Sequence, residues 1–209
     1  MVEKINLDPL IEKHKNQLDS ILLPQEKMVT NYERRCLGAL ALEYSKGLSL
    51  LEFGTWRGLT TLYLAQVCPH QTIFTVNIDT LDTNQINKHQ PNELLSHNEI
   101  GEECKHLPNV KIIYKDSGKL LDELENVKLG LTFVDGGHDW THVFIDWLTS
   151  MKYTQKDGII AFHNYNPNHI AKQESVDDFV EGGICLLVQR TQDLKWKHIE
   201  KTCIVYFQL

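Results

Sequence analysis

Hydrophobic residues recur with a helical period over residues 3–44. In the second half of this stretch, apolar residues spaced four apart share one face of a helix; they are Tyr32, Cys36, Leu40 and Tyr44. The pattern predicts two helices, separated near Pro24 because proline ends a helix. We expect residues 1–46 to form a helical cover over the rest of the chain.

Beyond Gly47, short apolar runs alternate with longer amphipathic ones. Five runs have the β-branched and aromatic composition of strands; they are residues 48–54, 72–79, 110–115, 131–135 and 158–163. Helices are predicted at residues 60–68 and after Asp135. The second of these carries one apolar face, made of Val143, Phe144, Trp147, Leu148 and Met151. Such alternation predicts an α/β fold with a parallel sheet and helices on both faces.

The C-terminal stretch alternates in the manner of antiparallel strands. Residues 194–200 and 202–209 are separated by only a short turn, so they predict a hairpin at the sheet edge. With this hairpin the predicted sheet has seven strands. Residues 80–108 are polar and irregular, and we expect them to form a loop and helix over the ligand side.

Length and charge narrow the possible partners. A chain of 209 residues suffices for one domain. The net charge of −7, without a basic block, argues against nucleic acid as a partner. No apolar run reaches the roughly 20 residues that span a bilayer, and the charged N-terminus differs from a signal peptide. We therefore expect a soluble cytoplasmic protein with no membrane partner.

Polar residues gather where the predicted strands end, and parallel α/β sheets bind ligands at these ends. The residues concerned are Glu52, Gly54, Asp79, Asp116, Ser117, Asp135, His163 and Asn164. Any one aspartate of this set can instead be explained as a turn former. Their joint placement favours a binding site.

The first of these turns differs from a dinucleotide fingerprint. A G-x-G-x-x-G motif starting at Gly54 needs glycine at positions 56 and 59, where the chain has Trp56 and Leu59. A pyrophosphate therefore fits poorly. Gly54 and Gly58 still allow a smaller ligand to approach, and the negative charge of Glu52 favours a cationic or amine-bearing one.

Asp79 ends the second strand, where an acidic residue bonds the ribose hydroxyls in nucleoside-binding folds. A nucleoside without phosphates that carries an amino-acid tail satisfies all these requirements. S-adenosylmethionine is such a molecule.

Five segments, in order, resemble class I S-adenosylmethionine-dependent methyltransferases: LEFGTWRGLTT, TVNID, YKDSGKLL, FVDGGHDWTHVFIDW and DGIIAFHNYN. The likeness covers residues 30–165. It is closest to the branch of catechol O-methyltransferase and the macrolide sugar O-methyltransferases, in which the fourth strand ends in Asp-Gly-x-His. The resemblance implies a single methyltransferase domain over residues 1–209, with a Rossmann-like, doubly wound, mostly parallel seven-stranded core at residues 47–209. It also implies O-methylation of a small-molecule hydroxyl.

Carried over residue by residue, the resemblance implies a cofactor site at the strand ends. Glu52, Gly54, Trp56 and Gly58 would surround the methionine part of S-adenosylmethionine. Asp79 would hold the ribose, Asp116 and Ser117 would border the adenine, and Asp135 would also line the cofactor site.

Metal-dependent members of this group bind a divalent ion at the ends of the fourth and fifth strands. The matching residues here are Asp135, His163 and Asn164. The family more often has aspartate in place of His163. An imidazole ligand shifts the preference from magnesium towards manganese, iron, nickel or zinc. The alternative is that His163 only hydrogen-bonds a neighbouring loop.

His138 follows Asp135 by three residues, and with it forms the candidate catalytic pair. Its ordinary pKa near neutrality suits a general base for an acceptor hydroxyl. The alternative is that His138 caps a helix or pairs with Asp139. His138 and His142 are one helical turn apart, but the glutamate of a zinc protease motif is missing between them.

Two other functions stay open at this stage. One is a non-catalytic S-adenosylmethionine-binding protein, and the other is a nicotinamide-dependent oxidoreductase, which the missing glycines disfavour. The acceptor, whether sugar, phenol or polyketide alcohol, is not specified by these motifs. The N-terminal helices could pack between subunits of a homo-oligomer.

Overall fold

A computed structural model of the protein describes residues 2–21, 23, 28–78, 95–166 and 182–209. Its strands are β1 (Glu3–Ile5), β2 (Ser49–Phe53), β3 (Ile73–Asn77), β4 (Val110–Tyr114), β5 (Leu129–Val134), β6 (Thr154–Phe162), β7 (Lys197–Ile199) and β8 (Val205–Gln208). They form one sheet in the order β1-β7-β8-β6-β5-β2-β3-β4. Strand β8 is antiparallel to both of its neighbours, and the other described pairs are parallel.

Helices lie on both faces of this sheet. They are α1 (Asp8–Lys13), α2 (Lys15–Leu18), α3 (Asn31–Tyr44), α4 (Leu59–Val67), α5 (Trp140–Tyr153) and α6 (Gly183–Arg190), with a 3-10 helix η1 at Ser117–Asp122. Successive strand residues face opposite layers. Leu50 shares a buried cluster with α3 and α4, whereas Leu51 shares one with α5 and α6. None of the helices in the described ranges is long and apolar enough to cross a membrane.

The predicted fold class is confirmed, but the sheet has eight strands instead of seven. The additional strand is β1, in a stretch for which the periodicity predicts helix. It pairs in parallel with β7, with Glu3 opposite Lys197, so the C-terminal hairpin does not lie at the edge. Three residues are too few for the hydrophobic pattern to distinguish a strand from a helix. Residues 3–5 form a strand because the backbone of β7 offers unpaired N–H and C=O groups to pair with.

Residues of the N-terminal helices pack into the core of the sheet. Leu18 and Leu37 lie in the same buried cluster as Leu50 and Phe133. The N-terminal helices thus share one hydrophobic core with the strands, and the single domain with a helical cover at residues 1–46 stays a prediction.

Helix α5 confirms the prediction after the fourth predicted strand, with one correction. Val143 of the predicted apolar face is buried, but Leu148 is 49% exposed. A step of one residue turns the helix by about 100°, so Leu148 lies off the face that Val143 and Trp147 share. Helix α6 was not predicted.

The order of the strands reverses between β2 and β5. From β2 the chain builds outward through β3 and β4, then returns to β5 on the other side of β2. Phe53 lies opposite Val134 in the register, so Gly54 and Asp135 leave the sheet side by side. In open α/β sheets this reversal creates the crevice that binds ligands.

Candidate active site

Gly54 allows the ends of β2 and β5 to touch. Its φ is +94°, and a Cβ atom there would lie 2.1 Å from the carbonyl oxygen of Asp135. The backbone N–H of Asp135 in turn donates to the carbonyl of Phe53 at 2.9 Å. The protein's own packing thus requires glycine at this position.

Gly58 is required for a similar reason. A Cβ atom there would lie 2.5 Å from Sγ of Cys104, and φ is +89°. The backbone N–H of Gly101 donates to the carbonyl of Trp56 at 2.8 Å, so residues 95–107 pack against the first turn. Of the segment predicted to form a loop and helix over the ligand side, residues 80–94 lie outside the described residues, and residues 95–107 form turns without a helix. Trp56 also has a positive φ, of 49°, and is 37% exposed.

Glu52 lies below the first turn and is only 2% exposed. Its Oε2 accepts hydrogen bonds from the hydroxyls of Thr61 and Thr75, the latter at 2.9 Å. Burial, together with the nearby carboxylate of Asp135, raises the pKa of Glu52 to about 8 against the lowering effect of the two hydroxyl hydrogen bonds. The carboxyl group is therefore largely neutral at pH 7, which removes the premise that Glu52 brings negative charge to the ligand.

His163, at the end of β6, lies in a row between Asp135 at the end of β5 and Glu33 of α3; His163 and Glu33 are buried, and Asp135 is half-buried. Nδ1 of His163 lies 3.1 Å from Oδ1 of Asp135, and Nε2 lies 3.4 Å from Oε1 of Glu33. The second contact has an ion-pair distance but not the alignment of a hydrogen bond. Burial opposes protonation of His163, but the two carboxylates outweigh it and raise the pKa to about 10.

Glu33 was not predicted as a site residue. It forms a capping box with Thr30 at the start of α3, and its Oε1 also accepts from the backbone N–H of Cys203 at 2.9 Å. Burial raises its pKa, but contacts with His163, Cys203 and Thr30 lower it to about 2. The Thr-x-x-Glu pattern is visible in the sequence, but it indicates only a helix start.

The predicted metal ligands do not fit a metal site as they are arranged. The two ring nitrogens of His163 face different carboxylates, and a metal ligand needs an imidazole nitrogen with a free lone pair. The amide of Asn164 is directed to His138. Within the described ranges there is no group of three or more histidine, cysteine or acidic residues that could hold a metal ion.

His138 contacts Asn164 and not Asp139. Nδ2 of Asn164 lies 2.7 Å from Nε2 of His138. Asp139 itself caps α5, accepts from the backbone of Thr141 and His142, and pairs with the ring of His142. The interpretation in which His138 pairs with Asp139 is therefore wrong, because that partner is taken by the next histidine.

The residues predicted at the adenine lie beside a buried carboxyl group that sequence reasoning missed. Asp116 caps η1, with its Oδ1 accepting from Gly118 at 2.8 Å. Ser117 hydrogen-bonds Asp146 of α5, which is 1% exposed. Burial raises the pKa of Asp146 to about 7. In the sequence Asp146 is one polar residue in an amphipathic helix, which gives no signal of its position under the strand ends.

The structure thus brings together most of the predicted site. Glu52, Gly54, Gly58, Asp135, His138, His163 and Asn164 all lie at or next to the ends of β2, β5 and β6. Asp79 lies outside the described residues, so its predicted contact with ribose stays a prediction.

Comparison with known proteins identifies the class to which this fold and crevice belong. The model of a family described as a methyltransferase domain matches residues 51–165, more than half of the chain. The chain belongs to this methyltransferase family. No curated protein sequence matches it significantly.

Solved structures show the same fold at low sequence identity. The O-methyltransferase TomG from Streptomyces achromogenes, solved with SAM, is 15% identical over 96% of this chain and 90% of its own, with a TM-score of 0.57. An O-methyltransferase from Bacillus cereus, solved with SAH, is 15% identical over 97% and 91%, with a TM-score of 0.58. CalS11, a TDP-rhamnose 3'-O-methyltransferase, is 14% identical over 96% and 93%, with a TM-score of 0.57.

Proposed function

We propose that this methyltransferase uses S-adenosylmethionine to methylate a hydroxyl group of a small molecule. The observation that carries the proposal is the meeting of Gly54 and Asp135 at the reversal of strand order, within the region matched by the family model, because open α/β sheets bind ligands at this point. The O-methyltransferases TomG and that of B. cereus share the fold, and their structures hold SAM and SAH.

The charge of the crevice supports a cationic cofactor. With His163 protonated, the row of Glu33, His163 and Asp135 carries one net negative charge. The side chain of Asp135 is 18% exposed, the most accessible of the three. A sulfonium ion near Asp135 is therefore attracted, whereas the diphosphate of a dinucleotide is repelled. This favours S-adenosylmethionine over a nicotinamide cofactor.

Bound S-adenosylmethionine supplies a methyl group that the sulfonium already activates. The protein then has to hold the acceptor oxygen in line with the methyl carbon and to accept the hydroxyl proton. We assign the binding of the methionine part to the first turn, Gly54–Gly58, and of the adenine to Asp116 and Ser117. Asp79 would bind the ribose.

We assign proton removal to His138. A neutral imidazole carries one proton, so the tautomer that donates Nε2–H to Asn164 keeps a lone pair on Nδ1. Rotation of the Asn164 amide by 180° about the Cβ–Cγ bond exchanges Oδ1 and Nδ2 while the side chain fills the same space. The oxygen then faces Nε2 of His138. With Nδ2 facing Nε2, Asn164 donates and the ring proton lies on Nδ1, so the role of general base requires the turned amide. The backbone also holds His138, because its carbonyl accepts from Gly183 at 3.1 Å.

Turnover with isotopically labelled S-adenosylmethionine tests this function. The purified protein is incubated with panels of phenols, sugar nucleotides and polyketide alcohols, and methyl incorporation is followed by mass spectrometry. The proposal predicts that a hydroxyl acceptor gains one methyl group while S-adenosylhomocysteine accumulates. Cofactor binding without turnover on any panel would favour the non-catalytic alternative. Binding of NADH without binding of S-adenosylhomocysteine would favour the oxidoreductase.

A further inference from the structure

His163 occupies the centre of the site predicted for a metal, and each of its ring nitrogens faces an acid. Asp135 lies 3.1 Å from Nδ1, and Glu33 lies 3.4 Å from Nε2. The side chains of His163 and Glu33 are 7% and 5% exposed, so water screens these contacts little. A neutral imidazole offers one N–H, and its other nitrogen would turn a lone pair towards a carboxylate. Two facing carboxylates favour an imidazole that carries both protons.

Glu33 is fixed in this position by bonds that do not involve His163. Its Oε2 accepts from the backbone and hydroxyl of Thr30 at 2.8 and 2.9 Å, and its Oε1 accepts from Cys203. Both carboxylate oxygens are thus hydrogen-bonded already. Glu33 therefore cannot turn away from His163 without breaking the cap of α3.

We infer that the imidazolium of His163, held between Glu33 and Asp135, supplies the positive charge for which metal-dependent relatives would use a divalent ion, so that this chain binds no metal there. His163 is a positioning residue, because it contacts Asp135 and not the reacting atoms. Glu33 provides the second carboxylate beside His163 and thereby favours the doubly protonated ring. The role of this row in methyl transfer rests on the proposed function. The protonation of His163 and the exclusion of a metal do not depend on that function.

The charge is tested without any measurement of activity. Long-range 1H–15N NMR on histidine-labelled protein at pH 7 reports whether each ring nitrogen carries a proton. We expect both nitrogens of His163 to be protonated in the wild type. Glu33→Gln removes the charge, and its amide oxygen can keep the bonds to Thr30, because glutamine serves in a capping box; its NH2 group then faces the backbone N–H of Cys203. In this variant we expect one nitrogen of His163 to lose its proton. A single protonated nitrogen in the wild type would overturn the inference.

The exclusion of a metal is tested by titration with manganese(II), followed by electron paramagnetic resonance. The metal-stripped wild type should not bind manganese, and its affinity for S-adenosylhomocysteine should not change after chelation. His163→Asp places three carboxylates together without a cation, and this variant should bind manganese and gain thermal stability from it. The inference would be contradicted if the wild type binds manganese and Asp135→Asn abolishes this binding. This outcome can be measured even if His163→Asp does not fold. Loss of S-adenosylhomocysteine binding in every form would instead refute the proposed function.

Discussion

Gly54 and Asp135 meet backbone to backbone where the sheet reverses its order, with room for a hydrogen atom but not for a methyl group. A Cβ atom on Gly54 would lie 2.1 Å from the carbonyl oxygen of Asp135, the residue that borders the proposed cofactor. The packing of the two strand ends therefore sets the geometry of the proposed cofactor site. This geometry exists without a bound ligand.

Gly54→Ala should destabilise the protein strongly because the added methyl group forces β2 and β5 apart. Gly47→Ala is the matched control, since Gly47 has a similar φ of +78° but nothing within 4 Å of a Cβ atom. The left-handed backbone alone costs roughly 1 kcal/mol for alanine. Chemical denaturation should give a loss of about 3 kcal/mol or more for Gly54→Ala, in the range that steric clashes in a core produce. Equal losses for the two variants would show that the contact with Asp135 does not matter.

His138→Gln should lower kcat by on the order of a hundredfold or more, the usual contribution of a general base. The affinity for S-adenosylhomocysteine should stay unchanged, because the proposed cofactor contacts are made by other residues. His142→Gln is the control, since His142 pairs with Asp139 one helical turn away. Similar kcat values for the two variants would remove His138 from the mechanism.

Glu52→Gln tests whether a charge below the first turn is needed. Burial raises the pKa of Glu52 to about 8, so at pH 6.5 the wild-type side chain is mostly neutral and the amide imitates it. Calorimetry at this pH should give affinities for S-adenosylhomocysteine within about threefold of each other, a difference below 1 kcal/mol. A loss of tenfold or more would restore the interpretation in which Glu52 binds the ligand through its negative charge.

Asp146→Asn should change how stability depends on pH. Burial raises the pKa of Asp146 from 3.8 to about 7, so the folded protein holds this proton more tightly than the unfolded chain does. This favourable contribution is complete below about pH 4 and is lost as the pH rises through 7. At pH 8 the variant should exceed the wild type in free energy of unfolding by up to about 4 kcal/mol, and this difference should fall to about 1 kcal/mol at pH 4.5. Parallel curves over this range would contradict a buried, protonated Asp146.

The strands of the core could be predicted because their signals are local. Runs such as residues 110–115 and 158–163 are rich in β-branched residues, and the structure has strands at both. Strand β1 could not be predicted in this way, because it exists through pairing with β7 at the far end of the chain. Pairing across nearly the whole sequence leaves no trace in a window of a few residues.

The site was predicted in its location more accurately than in its chemistry. Aspartates and glycines at strand ends mark the crevice, because strand ends of a parallel sheet share one edge. The protonation states of Glu52 and His163 depend on burial and on the position of Glu33, which follows from the packing of α3. A sequence pattern can name a histidine, but it does not show that two carboxylates enclose it.

Isothermal titration of the wild-type protein with S-adenosylhomocysteine tests the proposed cofactor site most directly. We expect one binding site per chain. We also expect loss of binding in Asp79→Ala, with Asp82→Ala from the same segment as the control. Absence of binding by the folded wild type, with or without added metal, would contradict the assignment of this crevice to S-adenosylmethionine.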